Sequence, residues 1–284
     1  MFPSRSNDRL LWILRGSAAI SGIVVLFILL YLVLGAWPAL RNLGLSRFFF
    51  DEGWHPTEDV YNLSPMLLGT LAVSFGAVAL ATPLGIGAAV FCNSYAPAPV
   101  ASLYRGMIAL MAGIPSVIYG FWGLVTFVPL VARFVPHGQN LFAGCVILAL
   151  MILPTIALIA DASIARASKE YQQSSAALGL DRWRTLRRVV IPAAGSGITA
   201  GIFLAAARAI GETMAVIMVT GNVVRVPDEL FQPTRTLTAN IALEMAYAMG
   251  DHRSALFVSG LALFVMTLVL TIVAQFFGKV RSHV

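Results

Sequence analysis

Long uncharged intervals dominate the chain. No Asp, Glu, Lys or Arg occurs from Gly16 to Trp37, Val60 to Tyr104, Gly106 to Ala132, Phe134 to Ala160 or Ser254 to Gly278. Each interval can supply the roughly 20 apolar residues that a helix needs to cross about 30 Å of hydrocarbon. In lipid the backbone must satisfy its own polar groups, so these runs are expected to be helical. Barrel strands would alternate polar and apolar positions, and these runs are continuous instead. Six spans follow, at about 12–36, 66–93, 106–132, 141–161, 194–222 and 255–277. The expected fold class is an all-α membrane protein, a six-helix transmembrane bundle.

The connections assign sides. With a cytoplasmic N-terminus, twelve of the 19 Lys and Arg fall inside and six outside, leaving Arg208 within a span. The positive-inside rule therefore puts both termini in the cytoplasm. Two long outer loops result, about 37–65 and 223–254; the second holds a helix-prone stretch, Thr236 to Met245, between Pro233 and Gly250. That stretch is expected to be a short outer helix, either closing over a pore or simply packing. The chain divides into an anchor helix with its external loop (1–65) and a core membrane unit (66–284), whose internal loop spans about 161–192.

Composition agrees: 58% of residues are hydrophobic and 11% charged, where a soluble domain carries about a quarter charged. The formal charge of +6 reads as membrane topology and not as nucleic-acid binding. The first apolar run exceeds a signal-peptide core and is expected to stay as an anchor. Cys92, Cys145 and four scattered histidines offer no metal-ligand spacing, so neither a metal nor a cofactor is expected.

The fifth span carries two charges, Arg208 and Glu212. At i, i+4 they would share one helical face. Intramembrane charges normally face a polar interior, so that face is expected to line an aqueous route. An arginine fork suits a tetrahedral oxyanion, to which it can give two charge-assisted hydrogen bonds. Glu212 is expected to hold Arg208 when no anion is bound; the alternative is a structural ion pair. Thr213 and Ser116 are placed beside the same route. Pro83 and Pro115 each remove a backbone hydrogen bond, with the Thr82 and Ser116 hydroxyls near enough in sequence to take the freed carbonyls. They are expected to be hinges or plain kinks. Gly69, Gly76, Gly85, Gly87, Gly197 and Gly201 are expected to let helices approach closely.

The internal loop is basic. Tyr171 to Arg188 has helical composition, Gly179 interrupts it and Asp181 is a candidate cap. Composition alone reads this as a topology signal or a contact with anionic membrane lipid. Its spacing adds more. Gln173-Ser174-Ser175, then Gly179, then Val189, Val190, Ile191 and Pro192 fall where permeases of ATP-binding-cassette importers carry Glu-Ala-Ala, Gly and Ile-x-Leu-Pro. Gln, Ser and Ser replace Glu, Ala and Ala, so the spacing is kept and the acid is not. Pro192 is expected to open the fifth span.

Further runs narrow the resemblance. Arg208-Ala-Ile-Gly-Glu-Thr-Met-Ala-Val216, Thr220-Gly-Asn222, Ala112-Gly-Ile-Pro-Ser-Val-Ile-Tyr-Gly-Phe121, Gly69-Thr70 and Thr82-Pro-Leu-Gly-Ile-Gly87 are similar to the PstC-type permeases of phosphate importers, over about residues 66–277. That resemblance implies the MetI-like fold of type I importer permeases. It also implies a bacterial inner-membrane location and half of a phosphate pathway. The implied partners are a PstA-like sister permease, an ATP-binding-cassette ATPase dimer and a periplasmic phosphate-binding protein. The ATPase would dock on Gln173, Ser174, Ser175, Gly179, Leu180, Asp181 and Arg182. No G-x-x-x-x-G-K-[ST] loop is present, so ATP chemistry is expected in a partner and not here. Rivals are a permease for sulfate, molybdate or phosphonate, a stand-alone ion-coupled transporter, and a membrane enzyme, for which the spans supply no His, Asp or Cys constellation.

Overall fold

The computed structural model describes residues 5–177 and 179–281, with side chains over 11–171, 175, 177 and 179–276. The long helices are α1 (Arg5–Asn42), α2 (Ser64–Ser94), α5 (Leu141–Ala177) and α10 (Gly250–Arg281). Two further spans are bent. The first joins α3 (Ala98–Gly113), across a 93° bend, to α4 (Ser116–Trp122), whose helical run continues to Val131. The second joins α6 (Arg182–Thr185), continuing to Ala193, to α7 (Gly195–Ile210) at 62°. Counting each bent pair as one span gives the six expected. Short helices α8 (Met214–Val219) and α9 (Leu237–Glu244) follow, and a single helical turn, Arg47–Phe50, lies after α1.

The core is the seam between α2 and α5, closed by α7 and α8. Small residues make it close. A Cβ at Gly85 would lie 2.9 Å from Ile156 Cγ2, and one at Gly76 would collide with Cys145 Sγ. Gly69, Gly197 and Gly201 are similarly tight, but Gly87 faces open space, against expectation. Helix α1 rests on α10 through Ala36, Ala39 and the Tyr31–Phe257 ring pair, and otherwise presents apolar side chains outward. Such a face suits lipid, which is as apolar as the side chains themselves.

One end of the bundle carries residues 43–63 and 220–249, and is called the capped end. There a two-stranded hairpin, β1 (Trp54–His55) with β2 (Val60–Tyr61), folds over α2 and α10. The opposite, basic end carries residues 179–194.

Two span boundaries and the place of one proline depart most from expectation. The third span begins at Ala98 and not near 106, because Arg105 is neutralised within the bundle. Its Nε and Nη2 meet Asp161 at 2.9 and 3.1 Å, and Asn93 Nδ2 joins at 2.7 Å. The fourth span runs unbroken to Ala177 because nothing between Asp161 and Ala177 interrupts a helix. Pro192 does not open the fifth span: it lies in the helical run from Arg182, just before the 62° bend, and the longer arm of the span starts at Gly195, close to the expected 194. A π turn, Leu186–Val190, precedes that proline, and another, Gly123–Phe127, precedes Pro129. The wider turn relieves the clash between a proline ring and the carbonyl four residues back.

Candidate anion pathway and coupling loop

The fifth span breaks where its charges lie. The Gly211 and Glu212 amides close α7 by donating hydrogen bonds to the Ala207 and Ala209 carbonyls, at 3.3 and 3.2 Å, and α8 begins after Thr213. The Glu212 carboxylate caps that next half-helix, accepting from the Ala215 amide at 3.2 Å. The Glu212 carbonyl accepts from Thr238 Oγ1 at 2.8 Å. Arg208 stays in the last turn of α7, where a cation suits the helix dipole, and is exposed. Among the described residues no salt bridge joins Arg208 to Glu212. The expected ion pair on one helical face is therefore absent: the i, i+4 argument holds only along a continuous helix, and Gly211 ends it.

The Pro115 break faces this one. Helix α4 lies on α8 so closely that a Cβ at Gly120 would sit 2.7 Å from Ala215 Cα. The Met111 carbonyl, which loses its i+4 donor because Pro115 has no N–H, accepts instead from the Ile114 amide at 3.2 Å and the Tyr119 hydroxyl at 2.9 Å, and not from Ser116. Ser116 is half-buried in the first turn of α4. The Tyr119 ring lies within electrostatic reach of Arg208. Pro83, by contrast, breaks nothing: α2 passes through it, and the Thr82 hydroxyl has no partner. It is a plain interior proline, and the hydroxyl does not take the freed carbonyl.

At the basic end the turn forms as expected. Gly179 has φ +69° and the Leu180 amide returns to the Ser175 carbonyl at 3.1 Å, the six-to-one bond of a Schellman motif. Asp181 caps α6 through the Arg184 amide at 2.7 Å. Ser175 is buried, whereas Arg182, Trp183 and Arg184 are exposed. The side chains of Gln173 and Ser174 lie outside the described residues. Leu186 and Val190 anchor the segment against Ala89, Ala160 and Ile164. Beside it a cavity of about 1040 Å³ opens between α5 and α7, lined by Arg166, Glu170, Tyr171, Ile198 and Thr199 among others. The loop and the break are thus at opposite ends of α7, a helix about 24 Å long.

Sequence reasoning passed over one buried cluster at the capped end. Glu244, 6% exposed, accepts from Trp54 Nε1 at 2.8 Å and Arg235 Nη1 at 2.8 Å, and His252 Nε2 lies 2.9 Å from it. Arg235 also donates to the Asn222 carbonyl and to Asn240 Oδ1. These groups come from β1, the segment before α9, α9 itself and the start of α10, so only the folded chain unites them. The expected outer helix is present as α9, capped by Thr236 on the Ala239 amide.

Residues 81–281 match the family described as binding-protein-dependent transport system inner membrane component. The phosphate transport system permease protein PstC of Mesorhizobium japonicum is 35% identical, over 96% of this chain and 87% of its own length. PstC of Pasteurella multocida is 34% identical over 86% and 82%. A probable ABC transporter permease, YqgH of Bacillus subtilis, is 36% identical over 83% and 78%. Among solved structures, the inward-facing MetNI methionine ABC transporter superposes with a TM-score of 0.63, covering 77% of this chain and 95% of the other at 17% identity. A bacterial alginate ABC transporter, solved with its alginate-bound periplasmic protein, gives 0.65 over 95% and 94%, also at 17%. Those two likenesses speak for the fold.

Proposed function

The chain belongs to the binding-protein-dependent transport system inner membrane components, with permeases of the PstC kind as its relatives, and on that premise we propose that it carries inorganic phosphate across the membrane as half of an ATP-driven importer's pathway. It is a multi-pass membrane protein and a transport component, not an enzyme. ATP is hydrolysed by partner chains. Those partners are a cytoplasmic ATPase dimer, a periplasmic phosphate-binding protein and a PstA-like sister permease. Both termini are placed in the cytoplasm, with the basic end inside and the capped end outside. Residues 1–65 serve as anchor and outer loop, and 66–284 as the permease core.

Arg208 carries the reading. It is an exposed guanidinium at the helix break it shares with Glu212, with no carboxylate bound to it among the described residues. A charge near the bilayer centre costs about 2.5–3.5 kcal/mol on insertion scales, which favours a polar route there. The planar fork can meet two oxygens of one phosphate at once. Glu212, Thr213 and Ser116 would line the same route. Arg182 and the turn at Gly179 would receive the ATPase, together with Gln173, Ser174, Ser175, Leu180 and Asp181. ATP-driven closure of the ATPases would press on that turn, and differential affinity of the partners for the two states would then switch access.

The test is phosphate uptake by proteoliposomes holding the four kinds of subunit, with sulfate and molybdate as competitors. Arg208→Ala is expected to abolish uptake while the variant inserts and assembles normally. Wild-type uptake by a fully assembled Arg208→Ala transporter would reject this reading.

A further inference from the structure

We propose that Thr238 is a positioning residue for anion transport: its hydroxyl holds the break in the fifth span open and so keeps the Glu212 carboxylate off Arg208. The inference rests on the phosphate-transport reading above and deepens it.

In an unbroken helix the Glu212 carbonyl would accept from the Val216 amide, four residues on. Arg208 and Glu212 would then stack on one face and pair. That closed form hides the cation that a passing anion needs. Here the carbonyl is taken instead by Thr238 Oγ1, at 2.8 Å, from a different element. The chain therefore has two ways to satisfy one carbonyl, and the choice sets whether Arg208 is quenched.

The hydroxyl that makes the choice is held in place. Thr238 is 8% exposed, in the first turn of α9. Its one proton goes to Glu212, so the 3.0 Å bond with Thr236 must be donated by Thr236. Thr236 in turn accepts from the Ala239 amide at 3.2 Å. The neighbouring Leu237 amide donates to Thr70 Oγ1 at 3.0 Å, and Thr70 donates to the Met66 carbonyl at 2.8 Å. At the far end of α9, Glu244 is gripped by Trp54, Arg235 and His252. Each hydroxyl in this chain of threonines donates one bond and accepts one, and with Glu244 the network ties the break to α2 and to both outer loops.

The experiment uses the complete transporter in proteoliposomes, with uptake measured at saturating phosphate-loaded binding protein. Thr238→Val, which keeps the shape and removes the hydroxyl, should lower the uptake rate about three- to tenfold, the worth of one hydrogen bond. Thr238→Ser should restore it. In a Glu212→Gln background, where no carboxylate can quench Arg208, Thr238→Val should cause no further loss. If the Val variant does not assemble, Thr238→Ala carries the same expectations. An equal loss from Thr238→Val in both backgrounds, or a wild-type rate for it, would overturn the proposal. Absence of phosphate uptake by the wild type would instead overturn the reading on which it rests.

Discussion

A buried carboxylate with three partners behaves differently from one on a surface, and Glu244 is such a group. Removing it by Glu244→Ala leaves Arg235 half-buried without its counter-charge, which typically costs about 3–5 kcal/mol. The variant should melt at a lower temperature in detergent, and protease added from the capped side should cut within 223–236 faster than in the wild type. His252→Ala removes one neighbour and leaves the Arg235 contact, so its effect should be nearer 1 kcal/mol. Unchanged melting of Glu244→Ala would show that the cluster contributes little to holding the loops. Tyr61, in strand β2 of the hairpin opposite Trp54, adds a pH signature. Burial, helped by Asp59 and Asp251, pushes its phenol up to about 12. A raised value favours the neutral phenol in the folded state, so the stabilisation is complete below about pH 10 and lost as the pH climbs toward the folded value. Tyr61→Phe should flatten that alkaline decline in a titration followed by tryptophan fluorescence; an identical curve would reject the assignment.

Among the elements, the seam between α2 and α5 depends on glycine. At Gly85 the opposing Ile156 side chain and Ala157 amide leave no room for a larger group. Gly85→Leu should therefore separate the helices and sharply reduce the amount of protein recovered from membranes, whereas Gly87→Leu, facing open space, should be tolerated. Equal recovery of the two would contradict the packing described. The same elements show what the sequence makes legible. Uncharged length locates the spans, and the Gly179–Asp181 pair locates the turn, because each is a local property of the chain. The break at Gly211 was hidden behind a helical spacing argument, although a glycine followed by a threonine that can start a new helix is a signal in its own right. Thr238 and the Glu244 cluster were out of reach, since their partners are 26 and up to 190 residues distant in sequence. Arg105 and Asp161 looked like loop charges because each ends an uncharged interval, when in fact they are helix residues that pair with each other in a part-buried contact between α3 and α5.

For the whole molecule, the arrangement separates a compact centre from lipid-facing surroundings: α2, α5, α7 and α8 form the centre, and α1 with α10 flank it. The two superposed transporters share the fold over 95% and 94% of their own chains. One feature has mechanical weight. Helix α5 is 37 residues without interruption, about 55 Å of rise, and reaches from the capped end to the turn at Gly179. Pro154 lies inside that rod without ending it, and a push at the turn would be passed along it toward the opposite face. Two glycines inserted after Ala165 would make the rod bend, and ATP would then be spent without moving phosphate. Tight coupling that survives the insertion would mean the stroke travels by another route.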